Sequence, residues 1–304
     1  VRVQGNRVRV EDIPGTDAGA RVLGMEAAAG GDLFIGTDGG GVHVRGKSGI
    51  KPLSGYPEDA PNVRALLLLR DGTLLVGHRN GLLHCADGAC RSVPVGDPEG
   101  KLVSALAEAT DGSWWVGTLG NGLYRIGRDG ALISEYDEEN GLLQNNVRCL
   151  LLDDQERLWI GSKLGLNRLE GERMRTFTVH QGLPNDNIHC AFQDREGNLW
   201  FGTDGAGALR YLGDAYVTFT MKDGLCSDLV MSITADAHGD LWLGTYDNGL
   251  CRLDGMAMIT TLDGLPNNTV WCGMLATDGS LWFGTSEGLA HVVNGVVQTP
   301  QGDP

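Results

Sequence analysis

Arg64, Arg148, His189 and Trp271 differ in chemistry, yet they occupy the same place in a pattern that recurs along the chain. Each stands between an aliphatic residue and a small one: Val63 and Ala65, Val147 and Cys149, Ile188 and Cys190, Val270 and Cys272. Leu23, Ser104 and Met231 hold the place elsewhere. Guanidinium groups make charge-assisted, bidentate hydrogen bonds to carboxylates, and an indole face stacks on flat apolar surfaces. Imidazole donates or accepts near neutral pH. Asn187, Asn268 and Tyr246, in neighbouring loops, would add amide and hydroxyl groups. Together these groups suit a sugar or an acidic sugar. The chemistry expected is recognition rather than catalysis, because the seven histidines are scattered, with no two-histidine metal spacing among them.

The elements that must position these side chains follow from a repeat. A glycine closes the same apolar phrase seven times, at Gly36, Gly77, Gly117, Gly161, Gly202, Gly244 and Gly284, with spacings of 41, 40, 44, 41, 42 and 40 residues. Fourteen residues before each glycine stands an aliphatic residue, from Val22 to Val270, so this segment tolerates no insertion and the length variation falls in loops. Units of this length cannot bury their apolar faces alone. The fifth reads as four strands, 188–194, 198–203, 208–212 and 216–220, separated by Gly, Asp and Asn turn signals. The expected fold is all-β: a seven-bladed β-propeller with four antiparallel strands per blade. The expected repeats are 20–60, 61–100, 101–144, 145–185, 186–227, 228–267 and 268–300, within one domain spanning 1–304. Residues 1–11 read as an extra strand pair that helps close the ring and protects an open sheet edge. Strand direction alternates, so the loops ahead of the variable residue and those after the apolar phrase share one face. The variable residues should therefore ring the mouth of the central channel.

Trp115, Trp159, Trp200, Trp242 and Trp282 share one repeat position and read as core between blades. Trp271 stands outside it. The Asp-Gly and Glu-Gly pairs before the apolar phrases are turns, lacking the alternating carboxylates of a calcium loop. No metal site and no cofactor is expected. A net charge of −15 opposes binding to nucleic acid or an anionic membrane surface, and no apolar stretch approaches a membrane span. The chain starts at Val1 without Met, which points to a processed or trimmed N-terminus.

Of the seven cysteines, Cys149, Cys190 and Cys272 hold the repeated small position and should be buried free thiols. Cys85 and Cys90 flank a four-residue turn and could face each other across a hairpin, which leaves a disulfide open there. Cys226 and Cys251 show no partner in the sequence.

The string Asp194-Arg195-Glu196-Gly197-Asn198-Leu199-Trp200-Phe201-Gly202-Thr203 resembles the two-component regulator propeller repeat. So do 239–245 with 249–252, and the segments Gly182–Ile188 and Gly264–Val270 that precede apolar phrases. The first two repeats depart from the pattern, with Phe34 and Leu75 in place of Trp. The resemblance implies a periplasmic or extracytoplasmic, non-enzymatic sensor domain of a bacterial receptor that binds a small polar ligand such as a carbohydrate. It also implies a second propeller or a downstream signalling domain as partner. Two other readings stand beside it. One is a protein-interaction scaffold. The other is an enzyme like the streptogramin lyases, in which His189 would act as base beside a carboxylate and a metal.

Overall fold

The computed structural model describes residues 9–11, 13–14, 16, 20–96, 101–213, 215–254, 257–293 and 296–297. Seven antiparallel sheets succeed one another along the chain. Six are four-stranded meanders, such as Val63–Leu68, Leu74–His78, Gly81–Ala86 and Ala89–Val93 in blade 2. The innermost strands of adjacent blades touch all the way round, and the strand Val270–Leu275 of blade 7 meets Val22–Ala27 of blade 1. The protein is a seven-bladed β-propeller. The only helical elements among the described residues are three 3-10 turns, Val179–Gln181, Met221–Asp223 and Thr261–Asp263.

The glycine that closes each apolar phrase sets the spacing between blades. A Cβ on Gly36 would lie 2.5 Å from Val63 Cγ1 of the next blade, and one on Gly77 or Gly117 would meet Val103 or Val147 at the same distance. Gly161 faces Ile188, Gly202 faces Val230, Gly244 faces Val270, and Gly284 closes the ring against Val22. Every one of these aliphatic side chains is wholly buried. The five repeated tryptophans fill the wider part of their seams and are buried as expected. Three of their indole N–H groups meet turn aspartates: Trp159, Trp200 and Trp242 donate to Asp153, Asp194 and Asp236 at 2.8, 2.8 and 3.2 Å. The same aspartates accept backbone N–H groups of their own turns. The turn aspartates thus serve the core.

Two segments share the outer edge of the strand Gly288–Val293 in blade 7. Arg9–Glu11 pairs with residues 289–291, and Val296–Val297 with 292–293. Neither segment displaces the other. The rest of the N-terminal pair, residues 1–8, lies outside the described residues. Arg45 of blade 1 clasps this closure, donating to both Glu11 carboxylate oxygens at 2.9 and 3.2 Å while its guanidinium lies 4.5 Å over the Trp282 ring.

Cys85 and Cys90 face each other in register and form a disulfide, with Cα atoms 4.0 Å apart. The hairpin turns through Asp87 and Gly88, both at positive φ, the two-residue turn whose twist suits a hairpin. Cys226 and Cys251, which show no pairing signal in the sequence, also bond, with Cα atoms 5.9 Å apart. This second bridge ties the loop between blades 5 and 6 to the third strand of blade 6. Cys149, Cys190 and Cys272 are free and half-buried, and desolvation pushes the thiols of Cys149 and Cys272 up to about 12.

Gly202→Ala should destabilise the protein by about 1–3 kcal/mol through overpacking, since its Cβ would lie 2.8 Å from both Val230 Cγ1 and the Val230 carbonyl. Gly30, with open space around it, should tolerate alanine. Equilibrium denaturation of the two variants separates seam packing from a general loss of glycine. Loop-closure entropy gives the second disulfide, spanning 25 residues, more weight than the first, spanning 5. The double variant Cys226→Ser/Cys251→Ser should lose about 3 kcal/mol and Cys85→Ser/Cys90→Ser about 2 kcal/mol, read from denaturation midpoints.

Candidate functional site

The variable residue of the repeat is the extra residue of a β-bulge. In blade 2, Val63 pairs with His78 and Ala65 with Gly77, so Arg64 has no partner of its own. The same shift occurs at Leu23, Ser104, His189, Met231 and Trp271. In blade 4 the Arg148 amide donates to the Gly161 carbonyl, just ahead of the strand Cys149–Leu152. The cause is local. The aliphatic residue must enter the seam with the preceding blade, and the small residue must lie across from its own phrase glycine. The residue between them is expelled, and a bulge re-aims its side chain.

All seven expelled side chains line one open cavity of about 270 Å³: Leu23, Arg64, Ser104, Arg148, His189, Met231 and Trp271, together with Leu119. Four of the residues singled out in the sequence, Arg64, Arg148, His189 and Trp271, therefore meet. Asn187 lies directly behind them. Its carbonyl oxygen accepts from Arg148 Nη1 at 2.6 Å, and its amide donates to Asp204 Oδ2 at 2.7 Å. Tyr246, 51% exposed, sets its ring edge-on to Trp271 at 6.0 Å. Asn268 is placed differently. It stands two residues before its aliphatic residue, not one, and its side chain accepts from the Thr261 amide at 2.9 Å, as Asp186 and Asp228 do for Val179 and Met221. It caps a 3-10 turn and is not among the side chains lining the cavity.

Trp271 is half-buried, unlike the tryptophans of the seams. Its indole donates to Ser286 at 2.8 Å, and Arg21 lies 5.2 Å over its ring. Arg148 Nη1 stands 3.2 and 3.3 Å from the two ring nitrogens of His189, and Asp204 Oδ2 is 3.7 Å from His189 Nε2. Burial, and then the positive charge of Arg148, hold His189 below the usual imidazole value of 6.5, while Asp204 opposes them. Burial also lowers Arg148, with Asp204 working the other way. His189 is thus neutral at pH 7 and close to a cation. The unfolded chain takes up that proton first, so this group's contribution to stability is lost as the pH falls below 6.5.

Sequence reasoning missed Asp204, Ser286, Leu119 and Lys163. A signal existed. The second residue after each phrase glycine also varies freely: Asp38, Arg79, Leu119, Lys163, Asp204, Tyr246 and Ser286. These residues form an outer ring on the same face, with Asp204 beside His189, and Tyr246 and Ser286 beside Trp271.

Three stretches, 141–163, 182–205 and 224–247, match the family model described as two component regulator propeller. These are two-component regulator propeller repeats. The chain superposes on the extracellular domain of a hybrid two component system from B. thetaiotaomicron with a TM-score of 0.84 at 22% identity, over 95% of this chain and 41% of that one. Virginiamycin B lyase from Staphylococcus aureus shares the fold, with a TM-score of 0.72 at 18% identity over 94% of this chain and 98% of that one. Histidine kinase P4 of Formosa agariphila is 28% identical over 166 residues, 48% of this chain and 12% of the kinase. The chain thus spans well under half the length of the two signalling relatives.

In a histidine-resolved NMR titration, His189 should titrate below 6.5. Arg148→Gln should raise its midpoint without restoring 6.5, because burial is the larger cause, and Asp204→Asn should lower it further. An unmoved midpoint in Arg148→Gln would contradict this electrostatic picture.

Proposed function

We propose that this chain is the ligand-sensing propeller of a bacterial two-component receptor, that it lies outside the cytoplasm, and that it binds a carbohydrate or another small polar ligand at the channel mouth. The observation that carries the reading is the convergence of seven unconstrained side chains, one from each blade, on a single open cavity. A concave site of this kind lets one small ligand touch several blades at once. The regulator repeats and the likeness to extracellular receptor domains support the sensor role. Two disulfides support an oxidising compartment. A further propeller or a signalling domain of the same receptor would be the partner that reads the bound state.

A second reading, a lyase, draws on the fold shared over nearly the whole length of virginiamycin B lyase and on the His189–Asp204 pair. The position of Arg148 argues against it. A guanidinium within 3.3 Å of both ring nitrogens opposes a bound cation and disfavours protonation of His189 as a base. Incubation with virginiamycin B should therefore yield no new chromatographic peak.

Trp271→Ala should weaken sugar binding in calorimetric titration by about tenfold or more, in line with the loss of an aromatic platform, while the thermal midpoint stays near that of the parent. Trp200→Ala, which empties a seam, should cost about 3–5 kcal/mol of stability. Equal destabilisation by both changes would remove Trp271 from the binding surface.

A further inference from the structure

Chemistry divides the ring of expelled residues into two arcs. Met231, Trp271 and Leu23 come from three consecutive blades and make one wall apolar. Arg64, Ser104, Arg148 and His189 come from the next four blades and make the opposite wall polar and basic, apart from Leu119 of blade 3. In a chain with 39 acidic and 24 basic residues, cations at a surface mouth would ordinarily find carboxylate partners. Here they do not. Among the described residues no ion pair or hydrogen bond engages the Arg64 side chain, which is exposed. Arg148 is held by two uncharged partners, the Asn187 carbonyl oxygen at 2.6 Å and the His189 ring. The nearest carboxylate, Asp204, is occupied instead by the Asn187 amide at 2.7 Å and stands 3.7 Å from His189.

Two arginines thus face one small cavity, oriented but not neutralised. We propose that the mouth is built for an anionic sugar, a ring bearing a carboxylate or sulfate group, with the anion held by Arg64 and Arg148 and the ring's apolar face against Trp271. This rests on the sensor reading above and narrows it to a ligand class. Arg forks match a planar carboxylate or a sulfate, and their strength grows where water is partly excluded. The Ser104 hydroxyl donates to the Val147 carbonyl at 2.5 Å, so its lone pairs remain to accept from a sugar hydroxyl.

Size restricts the ligand further. About 270 Å³ lies below the usual range for drug-sized ligands, so the cavity takes one ring and not a length of chain. The mouth is open, and a chain attached to that ring leaves past the outer ring, where Arg79 and Lys163 are exposed and without side-chain partners among the described residues. The end unit of an anionic oligosaccharide fits this arrangement, its second charge meeting the outer cations.

The test compares matched probes on the full chain by calorimetric titration at low salt and pH 7: glucuronic and galacturonic acids and their dimers against glucose, galactose and theirs. Galactose 6-sulfate distinguishes sulfate from carboxylate, and benzoate serves as a flat anion without hydroxyls. The anionic sugars should bind about tenfold tighter or more than their neutral counterparts, dimers should exceed monomers, and the preference should fade as salt is raised. Arg64→Gln should weaken the anionic probes about 10- to 100-fold, clearly more than it weakens the neutral sugars, with the thermal midpoint unchanged. Neutral sugars binding as tightly as the acids would overturn the anion clamp and leave the sensor reading in place. So would a charge preference that survives both Arg64→Gln and Arg148→Gln. Benzoate binding tighter than the uronic acids would overturn the sugar. Failure of every probe, neutral and acidic alike, would overturn this inference and the carbohydrate reading together.

Discussion

A glycine pressed against an aliphatic side chain of the next blade is the contact on which this propeller depends. It is made seven times, from Gly36 against Val63 round to Gly284 against Val22. No other residue type fits, because any Cβ would enter the neighbouring side chain within 2.5–2.9 Å. The contact brings the inner strands close enough to form a narrow channel, and it leaves the wider outer part of the wedge to a large apolar side chain, in three blades a tryptophan whose indole is tied to a turn aspartate. Because the last such contact joins the two ends of the chain, the ring closes through its core as well as through the outer strand of blade 7.

The same contact creates the site. Anchoring one residue of the inner strand in the seam and another opposite the phrase glycine leaves no ladder position for the residue between. Its side chain packs into no seam, so its chemistry is free to vary, and it points where the seven blades converge. Stability and the proposed recognition therefore fall to adjacent residues with little in common energetically: Val270 is wholly buried, whereas Trp271 beside it is half-open to the mouth.

Much of this was legible in the sequence because it repeats. The period, the invariant glycine and the fourteen-residue spacing imply the blades, and the contrast between fixed and variable positions implies the ring of Arg64, Arg148, His189 and Trp271. What escaped was non-local or depended on register. A bulge leaves sequence spacing unchanged, so the physical reason for the variable position is invisible in the chain. Cys226 and Cys251 meet only because a loop between blades folds back onto a third strand, whereas Cys85 and Cys90 are neighbours across a tight turn. Asn268 resembles Asn187 by type but sits one place earlier relative to its aliphatic residue; Asn187 supports a lining side chain, whereas Asn268 serves a 3-10 turn.

The electrostatics of the mouth run against the rest of the molecule. A chain of net charge −15 repels anions at long range, yet its channel mouth presents Arg64, without a side-chain partner among the described residues, and Arg148, whose partners are an amide and a neutral imidazole. Screening reduces the long-range repulsion over about 8–10 Å at ordinary ionic strength, while a bidentate contact inside a cavity is screened far less. The anion capture proposed there would accordingly be governed by short-range geometry, and its selectivity by how Arg148 is held. Asn187 performs that task twice, orienting the guanidinium with its carbonyl oxygen and occupying Asp204 with its amide. Were Asp204 free to turn onto Arg148, the cation would be neutralised from within, and the basic arc would shrink to Arg64.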